Sequence, residues 1–238
     1  MKKALWTIMA VFAVLLSGYA VVQYYVLGAD HAGFVEMKME TITLSSIWYG
    51  VLYAHVVGSV AALLIGPLNL SRSFRKRNIQ RHRILGSVYI AGVWLGGISG
   101  LYLAFQATGG LVSTIGFLGL DLWWLVSSYY GVKRIRDKQP LLHRQWMIRN
   151  YALTLAGVNL RLWLGLFVVM FGEENFVASY TVIAWLSWVP NMIIAEIYIR
   201  RRPKQSIQAV ASVHPNIAAY TVNMREGLPS LGDPSLVL

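Results

Sequence analysis

A chain of 238 residues that is 56% hydrophobic and only 13% charged, with nine Trp, has too few charges to clothe a soluble domain, and its mean hydropathy of +0.53 points to the membrane. The net charge of +11 does not argue for nucleic acid, because the cations gather in short connections, where they orient spans and meet anionic lipid headgroups. With no Cys, disulfides, thiolate metal sites, iron-sulfur clusters and thioether-linked haem are excluded, and any metal must rely on His, Met or carboxylate.

A hydrocarbon core of roughly 30 Å is crossed by about 20 apolar helical residues. Six runs of that length are predicted, at 5–27, 47–70, 84–107, 111–132, 146–171 and 177–199. Met1-Lys2-Lys3 and the apolar run after it also have the layout of a cleavable signal, but the run continues through "VVQYYVLG" to spanning length, so an uncleaved anchor is expected. Lys2 and Lys3 precede the first span; Arg72, Arg75, Lys76, Arg77, Arg81 and Arg83 follow the second. Lys133, Arg134, Arg136, Lys138 and Arg144 follow the fourth, and Arg200, Arg201, Arg202 and Lys204 the sixth. The alternate connections hold Asp30, Glu36, Glu40, Glu173 and Glu174, with Lys38 their one cation. The positive-inside rule then places both termini in the cytoplasm. The expected fold is an all-α polytopic bundle of six transmembrane helices over 1–199, followed by a disordered cytoplasmic tail over 200–238 that opens with the basic stretch "RRRPK". Within the loop after the first span, Val35, Met37 and Met39 alternate as in a strand while Phe34, Lys38 and Ile42 fit a helix, so the pattern leaves it unassigned.

Three ionisable residues lie near the middle of their spans. His55, Asp121 and Arg161 each lie nine or ten residues from the acidic end of their span, which at 1.5 Å per residue puts all three roughly 14 to 15 Å deep. An isolated ion there costs roughly 3 kcal/mol on insertion scales, so Asp121 is expected to pair with Arg161 in the bundle interior, with His55 at the same level. Helical spacing supports inward directions: His55, Gly58, Ser59, Ala62 and Gly66 form one stripe, Thr114, Asp121 and Ser128 a second, and Asn150, Thr154, Gly157, Arg161 and Gly165 a third, with Asn159 opposite it. Gly92, Gly96, Gly100 and Ala104, in four-residue steps, make the third span a central helix that neighbours can approach closely. The trio reads equally as a register lock or as a site in which His55 carries protons, Asp121 is its electrostatic partner and Arg161 holds an anion or polarises a carbonyl.

A second cluster sits at the basic end, where "QRHRILGSVY" and "LLHRQWMIRNY" each bring His-Arg to the start of a span. His82 and His143 are candidate axial ligands of one b-type haem, with Arg83, Arg144 and Arg149 for its propionates and Glu196 at similar depth; the competing reading is interfacial residues among lipid headgroups. His31, Met37 and Met39 are a poor set for Cu(I), so no metal site is predicted. Pro190 within "IAWLSWVPNMIIAE" predicts a kinked sixth span.

From the second span onward, "AHVVGSVAALLIGPLNL", "HRILGSVYIAGVWLGGISGLYLAFQATGG", "HRQWMIRNYALTLAGVNLRLWL" and "IAWLSWVPNMIIAE" together resemble a bacterial family of membrane proteins, domain of unknown function 2306. The resemblance implies a multi-pass protein of the bacterial cytoplasmic membrane, with His55, His82, His143, Arg149 and Arg161 inside its motifs; it implies no activity. No Walker A loop, dinucleotide glycine fingerprint or zincin helix is present. Three functions stand open: a small redox or haem-binding membrane protein whose midplane trio handles protons or a quinone headgroup, a proton-coupled or small-solute transporter, and a non-catalytic membrane partner or assembly factor.

Overall fold

The structure, a computed structural model, describes residues 3–39 and 43–213. It divides into two compact units, Met1–Ala195 and Glu196–Leu238. Every regular element among the described residues is helical.

Helix α1 (Lys3–Val21) runs into a π-helical turn at Val22–Val26, and the unassigned loop contains the short helix α2 (Gly33–Met39). The next spans are α3 (Ser46–Leu70) and α5 (Ile79–Ala104), with α4 (Arg72–Arg77) between them, followed by α6 (Gly110–Arg136). Polar caps set their starts: Ser45 Oγ accepts from Trp48 N at 3.2 Å and Asn78 Oδ1 from Arg81 N at 2.9 Å, satisfying N–H groups that a helix start leaves orphaned. Among the described residues six helical stretches are long and apolar enough to cross a membrane: Trp6–Val26, Ser46–Leu70, Ile79–Ala104, Gly110–Arg136, Pro140–Phe171 and Glu173–Arg201. Large apolar side chains such as Val14, Leu15, Ile98, Leu122 and Ile194 are exposed, as suits a bundle whose solvent is hydrocarbon.

The fifth span is not one helix. It consists of α7 (Pro140–Thr154) and α8 (Ala156–Phe171), interrupted at Leu155. The sixth is likewise interrupted, between α9 (Phe176–Leu186) and α10 (Val189–Val213), at Ser187 and Trp188 with Pro190 in the following turn, where its missing N–H and ring are tolerated. The two breaks are tied together: Asn159 Nδ2 donates to Asn191 Oδ1 at 2.7 Å, and Asn191 Nδ2 donates to the carbonyls of Ala152 (3.1 Å) and Ser187 (3.2 Å). Asn191 thereby satisfies backbone acceptors beside both interruptions, which in lipid have no water to turn to.

The closest helix packing is α3 against α5. A Cβ on Gly58 would come within 2.5 Å of Gly96 N and 2.6 Å of Gly92 O, so the small-residue stripe predicted on the third span is where these two backbones meet. The expected tail begins at Arg200; α10 continues as helix to Val213, and 214–238 lie outside the described residues, as do Met1, Lys2 and Glu40.

Candidate functional site

A cavity of about 860 Å³ opens inside the bundle, and His55 from α3, Asp121 from α6 and Arg161 from α8 all line it. The trio inferred from depth thus converges on one space. His55 Nδ1 donates to Gly96 O at 2.8 Å; because a carbonyl only accepts, this bond places the hydrogen on Nδ1 and leaves the Nε2 lone pair available. Asp121 is 6% exposed, and its carboxyl lies against Gly100, where an added Cβ would meet Oδ2 at 2.6 Å. The small residue on α5 therefore provides the seat for the carboxyl on α6.

The expected Asp121–Arg161 ion pair is not formed. Among the described residues Asp121 makes no hydrogen bond or salt bridge, while Arg161 Nη1 donates to Gly157 O on its own helix at 2.9 Å and its guanidinium carbon lies 5.9 Å over the Tyr19 ring. The reason is the break at Leu155. Beyond it α8 packs on α9 and approaches α1, while α6 packs on α5, α7 and α9. The two ions therefore occupy different walls of the cavity. The same break corrects the third stripe: Asn150 and Thr154 are buried, but Gly165 is exposed, so the stripe faces protein along α7 and opens outward along α8.

Below the trio, toward the basic end, a hydrogen-bonded network adjoins the cavity, with Trp124 and Thr154 on its wall. Tyr89 Oη donates to Asn150 Oδ1 at 2.6 Å and lies 3.0 Å from Thr154 Oγ1, Trp124 Nε1 donates to Thr154 Oγ1 at 2.9 Å, and Asn150 Nδ2 reaches Trp124 O and Ser127 Oγ, each at 2.7 Å. Toward the acidic end, Tyr180 stacks on Phe34 with ring centroids 6.2 Å apart and meets Phe117 at 5.5 Å, and Lys38 donates from Nζ to Gln106 O. Burial holds the Lys38 ammonium below the ordinary lysine pKa. Tyr89, Trp124 and Tyr180 escaped the sequence reading because aromatic side chains in an apolar span look like filler, whereas Asn191 enters it only as part of the expected kink of the sixth span. Lys38 carried a signal, being the lone cation of the acidic connections.

At the basic end, His143 Nδ1 donates to Gly131 O at 2.7 Å, and His82 is near enough for their charges to interact. His82 Nδ1 is buried without a hydrogen-bond partner among the described residues. Arg83 is exposed, Arg144 is half-buried, and the Arg149 guanidinium lies 5.0 Å over Trp146. Neither histidine lines the central cavity. Glu196 pairs with Arg200 one turn along its own helix at 2.9 Å. Among the described residues no group of three or more His, Asp or Glu is placed to hold a metal ion.

Six apolar spans around a cavity into which three of them bring an ionisable side chain, His55, Asp121 and Arg161, define a polytopic membrane protein with a buried polar site. Residues 52–199 match the family described as predicted membrane protein (DUF2306), and the chain belongs to that family. The matched segment contains the whole trio and both candidate haem ligands. No curated protein and no solved structure matches the chain significantly.

Proposed function

We propose that this membrane protein binds, within the bilayer, a small amphipathic molecule with a quinone-type headgroup, and that His55, Asp121 and Arg161 hold that headgroup. The observation that carries this reading is the convergence of three ionisable side chains from three spans on one cavity, with hydrogen-bonding capacity left over on each. A guanidinium has five N–H donors, of which Arg161 commits one among the described residues, leaving others for a carbonyl oxygen. The free Nε2 of His55 accepts from a hydroxyl, and the Asp121 carboxyl offers a second protonatable partner. The volume falls within the range of roughly 300 to 1,000 Å³ usual for small-molecule sites. Binding is favoured over permeation by the Tyr89–Asn150–Thr154–Trp124 network, which fills the route toward the basic end. By the positive-inside rule that end faces the cytoplasm of a bacterial cell.

Trp48 and Trp124 line the cavity and serve as reporters. In lipid nanodiscs, a decyl-chain benzoquinone is expected to quench tryptophan fluorescence saturably, with affinity falling about tenfold in His55→Ala, the equivalent of ~1.4 kcal/mol for one lost hydrogen bond in a desolvated site. Quenching that never saturates, or that is identical in the variant, would overturn the reading.

A second reading, a b-type haem held by His82 and His143, is favoured by one observation. With Nδ1 donating to Gly131 O, His143 presents Nε2 in the tautomer and orientation that a hydrogen-bonded backbone carbonyl imposes on metal-ligating imidazoles. An absorption spectrum of the purified protein, air-oxidised and then reduced with dithionite, decides it. A Soret band with sharpened reduced bands, lost in His143→Ala, is the expected signature, and a colourless protein from haem-sufficient cells would refute it.

A further inference from the structure

We infer that the occupant of the central cavity is a single-chain lipid-phase amphiphile that enters sideways from the bilayer between α1 and α8, with its headgroup meeting Arg161 and its apolar chain trailing out through the gap. This rests on the headgroup reading above and adds to it the route and the form of the ligand.

The cavity wall does not stop at the protein interior. It includes Tyr19 of α1, 51% exposed, and Val169 of α8, 85% exposed, so the enclosed space is continuous with the lipid-facing surface. Helix α1 packs chiefly on α3 and meets α8 at few points, which leaves the seam between them open. Gly165, one turn beyond Arg161 on α8, lines this seam, and a Cβ added there would meet nothing within 4 Å. Beside Arg161 and Tyr19, the seam residues Leu16, Leu164 and Val168 are aliphatic, matching a hydrocarbon chain. Arg161 sits where seam and cavity join, beside the Tyr19 ring. A half-buried cation at this depth is tolerated when its remaining donors meet an acceptor, and a carbonyl or hydroxyl arriving from the lipid supplies one. A ligand from water would instead pass the acidic end, where the Lys38 bond to Gln106 O ties α2 to the α5–α6 connection.

The open space at Gly165 makes a direct test possible, because a larger side chain there narrows the seam without displacing neighbours. Two photoreactive azido-benzoquinones, one with a decyl chain and one without, are applied to the protein in nanodiscs, and labelled peptides are mapped by mass spectrometry. Wild-type protein is expected to be labelled on α3, α6 or α8 within the cavity by both probes. Gly165→Leu is expected to reduce decyl-probe labelling about tenfold (~1.4 kcal/mol) while leaving the tail-less probe unchanged, and Val169→Trp, at a lipid-facing position, is expected to do the same should Gly165→Leu fold poorly. Gly50→Leu, at an exposed glycine that does not line the cavity and has equally open surroundings, should alter neither. Equal decyl-probe labelling in wild type and both seam variants, with the cavity still labelled, overturns lateral entry and leaves the headgroup site standing. Equal loss of both probes in a folded seam variant also overturns it. Absence of cavity labelling in wild type by either probe overturns the headgroup reading itself.

Discussion

Asn150→Leu is expected to be the most destabilising single substitution in the bundle, costing about 2–4 kcal/mol. The side chain is fully buried and makes three hydrogen bonds of 2.6 to 2.7 Å, accepting from Tyr89 on α5 and donating to Trp124 O and Ser127 Oγ on α6. In water such bonds add little, but within a bilayer the groups left behind have only each other. Measured interhelical bonds in membranes average about 0.6 kcal/mol and reach about 1.7, so three short ones in a dry core sum to the stated range. Leucine keeps the branched skeleton but is larger, so no cavity is opened, and the strain of its methyl groups at these short contacts adds to the polar loss. The measurement is equilibrium unfolding in mixed detergent micelles. Asn159→Ala supplies the comparison, since it removes one bond beside the helix breaks and leaves Asn191 its two backbone acceptors; its cost should be about 1 kcal/mol. A cost below about 1 kcal/mol for Asn150→Leu would mean that α5, α6 and α7 are held by apolar packing alone.

The class of fold was legible because two independent signals agreed. Spans of about 20 apolar residues and the alternation of Arg-rich with Glu-bearing connections each demand six crossings, and the six apolar helical stretches agree with the expected spans to within a few residues over most boundaries. The site was legible in part. Distance along a helix converts to depth, so His55, Asp121 and Arg161 could be brought to one level without knowing how the helices are arranged. Which side chain touches which could not be read, because that depends on rotation and neighbour order. Leu155 illustrates the difficulty: nothing in "NYALTLAGVNL" marks a break, since the Ala152 carbonyl beside it is satisfied from another span, by Asn191. Once α8 is turned by that break, charge complementarity no longer joins Arg161 to Asp121. Lys38 poses the same problem in reverse, being a cation in a loop that tertiary contacts bury.

Replacing Arg161 and Asp121 separately and together distinguishes a ligand site from a structural lock. Were the two residues an ion pair fixing register, each single substitution would strand a buried charge at a cost of about 3–5 kcal/mol, and the double change would restore stability, giving a large coupling. In this bundle they are not paired, so Arg161→Met leaves Asp121 with the surroundings it already has. It also removes a cation that is costly at this depth. The expected result is that Arg161→Met folds at least as well as wild type and that Asp121→Leu changes stability independently of it, with a coupling below about 0.5 kcal/mol, the additivity seen for sites without shared partners. Ligand affinity should behave oppositely: Arg161→Met is expected to weaken decyl-benzoquinone binding by about 10²-fold, or ~2.7 kcal/mol, as befits a charge-assisted bond in a desolvated site. Arg161→Lys should recover only part of the loss, because an ammonium lacks the planar fork that spans a carbonyl and its neighbour. Stability and binding read on the same four proteins decide the matter. A coupling of about 0.5–3 kcal/mol in unfolding with no change in binding would make the trio a lock, and loss of binding in a fully folded Arg161→Met would make it a site.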